Sequence, residues 1–278
     1  MWKRKSFQFV FWGMILLCIV QPVYYVIKYW GSYIYELPSA DTLYIANSGS
    51  DIWSYIQQLF SFLIVLPFGF SYLDEKKFGV NLYLQSRGER KAYYYSQLIA
   101  CFIGTAMVIL LPFLINIALN GIIFPINGND YISTYDAYDY NWCSKIMGNG
   151  FKDKTLFQGH ILKSIFIEHP QLYNVIYALI GGISSGVMGM FVYAISILVE
   201  KNRIWVLIIN YLFFSVFTVL DRVIENIFPI YINVNLTEYL SDGHFNHGRV
   251  YPIYIAFLLL EVFISIGIVR RQWKKDEE

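Results

Sequence analysis

Six stretches of this chain are each apolar for long enough to cross a bilayer, and no other feature limits the fold as tightly. A helix needs about 20 apolar residues to cross a hydrocarbon core about 30 Å thick. Such runs fall at 7–29, 54–72, 97–124, 171–199, 204–220 and 251–269. The third and fourth are long enough to tilt or to extend past the headgroups. The composition agrees: 15% of the 278 residues are charged and 56% are hydrophobic, whereas soluble domains carry about 25% charged residues. A chain this apolar cannot cover its surface with polar groups in water. The expected fold is an all-α integral membrane protein, one transmembrane domain over residues 1–278, without a soluble domain or linker.

Orientation is read from the placement of Lys and Arg. Lys3, Arg4 and Lys5 precede the first run, and Lys76, Lys77, Arg87, Arg90 and Lys91 lie between the second and third. Lys201 and Arg203 lie between the fourth and fifth, and Arg270, Arg271, Lys274 and Lys275 follow the sixth. With six spans these segments share one side and hold most of the 21 basic residues. Residues 30–53 contain no Lys or Arg, and 125–170 mixes four lysines with five carboxylates. Both ends are therefore expected in the cytoplasm. The N-terminal run from Phe7 is too long for a signal peptide and reads as a retained helix.

Two segments of the opposite side are substantial. Residues 125–170 are rich in Tyr, Asn, Asp and Gly, and become amphipathic around 156–167, as in a helix lying on the outer surface. Residues 223–240 are apolar but broken by Pro229 and three asparagines. A re-entrant or interfacial hairpin between spans five and six fits them better than a seventh span, which would place the C-terminal basic cluster outside.

Few residues carry recognisable chemistry. No Gly-x-x-x-x-Gly-Lys-Ser/Thr pattern occurs, so this chain holds no ATP by that route. No His-Glu-x-x-His or Gly-x-Ser-x-Gly pattern occurs either, which leaves an intramembrane enzyme without a recognisable nucleophile or metal set. A net charge of +1 offers no electrostatic footprint for nucleic acid. Cys18 and Cys101 fall in apolar runs and Cys143 outside them, so no disulfide framework is expected. His244 and His247 sit between Gly243 and Gly248, and two imidazoles alone do not make a zinc site. Asn235-Leu236-Thr237 matches a glycosylation sequon and reads as a chance match.

Glu261 is the sharpest single residue. It lies near the middle of the last run, where an ionisable group usually faces protein or water. It either contacts cargo, switches with protonation, or ties helices together through hydrogen bonds. Gln57, Gln58, Asn116, Asn120, Asn174 and Asn210 are its candidate partners. In the fourth run, Gly182 and Gly186 have the small-x-x-x-small spacing that lets helices approach closely.

The segment from Asp74 to Arg90 is charged at both ends and apolar between. Phe78 and Leu82, four apart, are expected to share the face of a short amphipathic helix at the inner surface, able to lie on lipid or enter a groove of a soluble partner. This segment resembles the loop between spans two and three in permease subunits of the type-2 class of ATP-binding-cassette exporters. Glu75 and Gly79 match its opening, Leu82 and Leu84 its apolar turn, Arg90 its basic position, and Ser96-Gln97-Leu98-Ile99-Ala100 the helix that follows. Val80, Arg87 and Gln97 depart from the usual Thr, Pro and Lys.

The resemblance implies six spans, both termini inside, and a coupling helix built on Glu75, Phe78, Gly79, Leu82, Leu84, Arg87 and Arg90. That helix would enter a separate cytoplasmic ATPase subunit, present in two copies. Neither cofactor nor metal would belong to this chain, since ATP and Mg would sit in the partner. The permease would pair with itself or a sibling in a membrane, with the bacterial plasma membrane as the expected location. The expected cargo is amphiphilic, a peptide or lipid-like molecule. Expulsion of antimicrobial peptides as self-protection is the alternative within this class, and a non-transporting receptor or scaffold is the alternative outside it.

Overall fold

The computed structural model describes residues 4–47, 51–79, 90–126, 128, 165, 169–199, 202–227, 235–241 and 251–277. Seven α-helices and two short 3-10 helices, Ile34–Glu36 and Glu238–Leu240, have bounds among them. The α-helices are α1 (Lys5–Lys28), α2 (Asp51–Phe68), α3 (Ser71–Lys77), α4 (Arg90–Ile123), α5 (Pro170–Val199), α6 (Arg203–Ile227) and α7 (Tyr251–Glu277). No strand occurs among the described residues. With α2 and α3 taken together, six helices are long and apolar enough to cross a membrane, as the sequence indicates.

The helices outrun the apolar stretches that define them. α4 begins at Arg90 rather than near residue 97, α6 continues to Ile227 and α7 to Glu277. Backbone hydrogen bonding does not stop at the hydrocarbon boundary, so the charged flanks continue the helix into the headgroup zone. The second span is broken in two. Pro67 and Gly69 lie at the junction, where a Cβ on Gly69 would come within 2.6 Å of Val192 Cγ1 and of the Val65 carbonyl oxygen.

α5 is the central helix, and its pairing with α4 is the most extensive in the bundle. Small residues make this possible. A Cβ at Gly182 would lie 2.8 Å from Leu110 Cβ, and one at Gly186 would lie 2.8 Å from the Phe102 ring and 2.9 Å from its carbonyl oxygen. Without side chains at these points the two backbones approach closely, and van der Waals contact substitutes for the hydrophobic drive that lipid does not supply. α1 packs on α4 and α2, and α7 packs on α5 and α4. α6 is the most peripheral helix, packing mainly on α2 and α5, with Phe217 edge-on to Phe257 of α7.

Of the amphipathic helix expected across Phe78 and Leu82, only the Phe78 end falls among the described residues, and Phe78 is not in a helix there. α3 closes at Lys77, with Phe78 as its C-cap and Gly79 at φ +67°. The Phe78 N–H donates to the Asp74 carbonyl at 3.0 Å and the Gly79 N–H to the Lys76 carbonyl at 3.2 Å. This is the ordinary way a glycine in the left-handed region ends a helix. Phe78 stands exposed beyond the end of α3. Leu82, Leu84 and Arg87 lie outside the described residues, as do most of 125–170, Cys143, His244 and His247.

Candidate functional site

Two polar constructions occupy opposite ends of the bundle. The first is at the end where α1 and α4 begin. Asp74 and Glu75 are consecutive on α3, so their side chains leave the helix about 100° apart. Glu75 faces inward. It receives the Arg4 Nη2 of α1 at 2.6 Å, the Tyr93 hydroxyl of α4, and the Gln97 amide of α4 at 3.1 and 3.2 Å. Tyr93 and Gln97 are four apart and share one face of α4. Asp74 faces the other way and pairs with Arg203, which opens α6.

Aromatic faces hold the cations in place. The Arg4 guanidinium lies 5.6 Å from the Phe68 ring centroid and that of Arg203 lies 5.7 Å from Phe70, both within cation–π range. The Glu75 side chain is 12% exposed, against 33% for Asp74. The Glu75 cluster is therefore the stronger of the two, because charge-assisted hydrogen bonds gain strength as water is excluded. Exposed pairs such as Asp74–Arg203 contribute about 0–1 kcal/mol. One seven-residue helix thus joins α1, α4 and α6 immediately before residues 80–89. Arg90 is the first residue of α4, just after them.

The second construction is at the end where α5 and α7 begin. Residues 38–41 and 43–47 are buried although their backbone is not α-helical. Amide side chains satisfy that backbone. Gln21 and Asn120 both donate to the Leu43 carbonyl at 2.8 Å, and Asn174 donates to the Asp41 carbonyl at 2.8 Å. Asn116 accepts the Ile45 N–H at 2.9 Å, and donates to the Cys18 carbonyl at 3.0 Å and to Gln21 Oε1 at 2.6 Å. Asn116 is seven residues from the end of α4, about 10 Å down its axis. Irregular backbone at such depth persists only when protein supplies its hydrogen bonds.

A second segment, 235–241, also packs into this end. Leu236, Tyr239, Leu240 and Ser241 are buried. Tyr239 stacks on Tyr254 with centroids 4.5 Å apart and meets Tyr251 edge-on at 5.5 Å, while the Tyr251 and Tyr177 hydroxyls bond to each other. Thr237 donates its hydroxyl to Asn235 Oδ1 at 3.0 Å, so the sequon lies in a folded turn against the bundle.

Glu261 is 3% exposed, and neither carboxyl oxygen has a hydrogen-bond partner among the described residues. Five of the six amides named as its candidate partners are engaged elsewhere, and Gln58 is exposed. Asn116, Asn120 and Asn174 hold segment 38–47, Asn210 donates to the Ser61 carbonyl at 2.8 Å, and Gln57 donates to the Thr237 carbonyl at 3.4 Å. Their job is to satisfy backbone, which is the larger debt in a bundle that buries non-helical chain.

Sequence reasoning places Glu75 in the loop site, and the structure adds Arg4, Tyr93, Gln97, Asp74 and Arg203 around it. Arg4 and Arg203 were visible only as orienting charges. Asn116 and Asn120, four apart in an apolar run, were the one available signal of a polar face on α4. Among the described residues no cluster of His, Cys, Asp or Glu is arranged to hold a metal, and Cys18 and Cys101 are buried free thiols. Comparison with family models, with characterised proteins and with solved structures returned no match.

Proposed function

We propose that this chain is the membrane-spanning subunit of an ATP-driven exporter, energised by a separate cytoplasmic ATPase subunit that engages the loop after α3. The observation that carries this reading is the double attachment of α3. Glu75 ties it to α1 and α4, and Asp74 ties it to α6. A force applied to the loop then reaches three spans through a short, rigid lever instead of dissipating in slack chain. A loop that only joined two helices would need none of these bonds.

The resemblance of Glu75, Gly79, Leu82, Leu84 and Arg90 to the coupling segment of type-2 exporters supports the same reading. So does the lack of a phosphate-binding Gly-x-x-x-x-Gly-Lys-Ser/Thr pattern in this sequence. In this reading the Arg4 end faces the cytoplasm, in keeping with its Lys and Arg content. Two copies of the permease, or one and a sibling, pair in a plasma membrane with two ATPase subunits and move an amphiphilic peptide or lipid-like cargo.

Co-purification tests the proposal. The chain should bring down an ATP-binding-cassette ATPase from its native membrane, and charge reversal at Arg87 and Arg90 should weaken that association at least several-fold. Isolation as a lone chain under mild detergent, or undiminished association of the charge-reversed variant, favours a receptor or scaffold instead.

A further inference from the structure

A cleft of about 730 Å³ lies between α2 and α6, within the ordinary size of a ligand site. Its lining combines polar side chains, Gln57, Gln58 and Ser61 from α2 and Ser215, Thr218 and Arg222 from α6, with apolar and aromatic ones, Phe62, Tyr211 and Phe214 among them. Ser215, Thr218 and Arg222 are spaced at i, i+3 and i+7, so they line one face of α6. The Phe62 and Tyr211 rings stack 5.9 Å apart, and Phe60 meets Phe214 edge-on at 6.0 Å.

Depth assigns a role to each part. Arg222 is 19 residues beyond Arg203, about 28 Å along the helix axis, which matches a hydrocarbon core about 30 Å thick. The two arginines of α6 therefore sit at opposite headgroup levels. Tyr211 lies about 16 Å deeper than Arg222. The cleft thus runs from headgroup level well into the hydrocarbon, with hydroxyls and amides along it. Ser61 is 5% exposed, and its Oγ has no hydrogen-bond partner among the described residues. Among the described residues no carboxylate lines the cleft and none pairs with Arg222. Polar groups left facing hydrocarbon are costly, so an occupant with matching chemistry is favoured over acyl chains alone.

We propose that this cleft binds an anionic phospholipid from the leaflet at the Arg222 end. The phosphate sits on the Arg222 guanidinium, which presents a planar set of donors suited to phosphate. The glycerol ester oxygens lie against Gln58 and Ser215, and one acyl chain follows Phe62, Tyr211 and Phe214. The site lies within a single chain and needs no ATPase, so it goes beyond the proposed function and stands or falls separately.

The test is native mass spectrometry of the purified full chain, without any ATPase, after equilibration with equimolar phosphatidylglycerol and phosphatidylcholine. One phosphatidylglycerol should be retained with at least about fivefold preference, as expected for one charge-assisted phosphate contact. Arg222→Gln should abolish the preference, Arg222→Lys should keep part of it, and Arg271→Gln, at the other end of the bundle, should leave it unchanged. Ser215→Trp, which fills the cleft from a half-buried position, should prevent retention in protein of unchanged helicity. Equal retention of both lipids by the unmodified chain overturns the proposal, as does full preference in Arg222→Gln or undiminished retention in folded Ser215→Trp.

Discussion

Asn116 accepts the backbone N–H of Ile45 at 2.9 Å, across 71 residues of sequence and about 10 Å below the end of α4. The same side chain donates to the Cys18 carbonyl and to Gln21. One amide thereby joins α1, α4 and the segment between α1 and α2. Asn116→Leu should leave a buried N–H, a carbonyl and Gln21 without their partner, at a cost of about 2–4 kcal/mol. Segment 38–47 should loosen first. Ala46 is fully buried, so Ala46→Cys in a Cys143→Ser background should resist an impermeant maleimide, and Asn116→Leu should make it reactive. Equal labelling with and without Asn116→Leu would show that the amide does not hold the segment.

The Glu75 cluster should behave as a coupled unit. Glu75→Ala removes the common acceptor of Arg4, Tyr93 and Gln97 and should cost about 1–3 kcal/mol in detergent unfolding. In a double-mutant cycle with Arg4→Ala, the two changes should fall short of additivity by at least about 0.5 kcal/mol. Asp74→Ala, which breaks the more exposed pair, should cost about 1 kcal/mol or less. Additive behaviour of Arg4 and Glu75 would mean the ion pair transmits nothing between α1 and α3.

Glycines at the α4–α5 contact should be far less replaceable than those on open faces. Gly186→Ala drives a Cβ against the Phe102 ring and its carbonyl oxygen, and overpacking of this kind costs about 1–3 kcal/mol. A Cβ at Gly267 on α7 meets nothing within 4 Å, so Gly267→Ala should be neutral or stabilising by up to about 1 kcal/mol through helix propensity. Thermal unfolding of the two variants side by side checks this, and a similar loss in both would contradict the packing.

Glu261 should be dispensable for folding. Its carboxyl group is buried without a hydrogen-bond partner among the described residues, and replacing such a group with an apolar one is often neutral or stabilising. Glu261→Leu should therefore hold or raise the unfolding temperature, while Glu261→Gln, with the same volume, should fold normally. If transport is reconstituted and Glu261→Gln transports as well as the unmodified chain, the carboxyl group has no part in it. A fall of several degrees in Glu261→Leu would show that the group does structural work.

The sequence by itself determined the six helices, because hydrocarbon demands long unbroken apolar runs and these can be counted along a line. It also marked Glu75, Gly182, Gly186 and Glu261 as unusual for their surroundings. It did not show that α3 ends at Lys77, with Gly79 in the left-handed region. It offered Asn116, Asn120 and Asn174 to Glu261, whereas they hold the backbone of 38–47.

That departure has a physical cause. A span is recognised from contiguous residues, but the partner of a buried amide or carboxylate is set by which helices lie side by side. Only the tertiary structure could bring Arg4 to Glu75 and Ile45 to Asn116, each pair separated by 71 residues. In a solvent without hydrogen bonds, those meetings decide which buried polar atoms are satisfied.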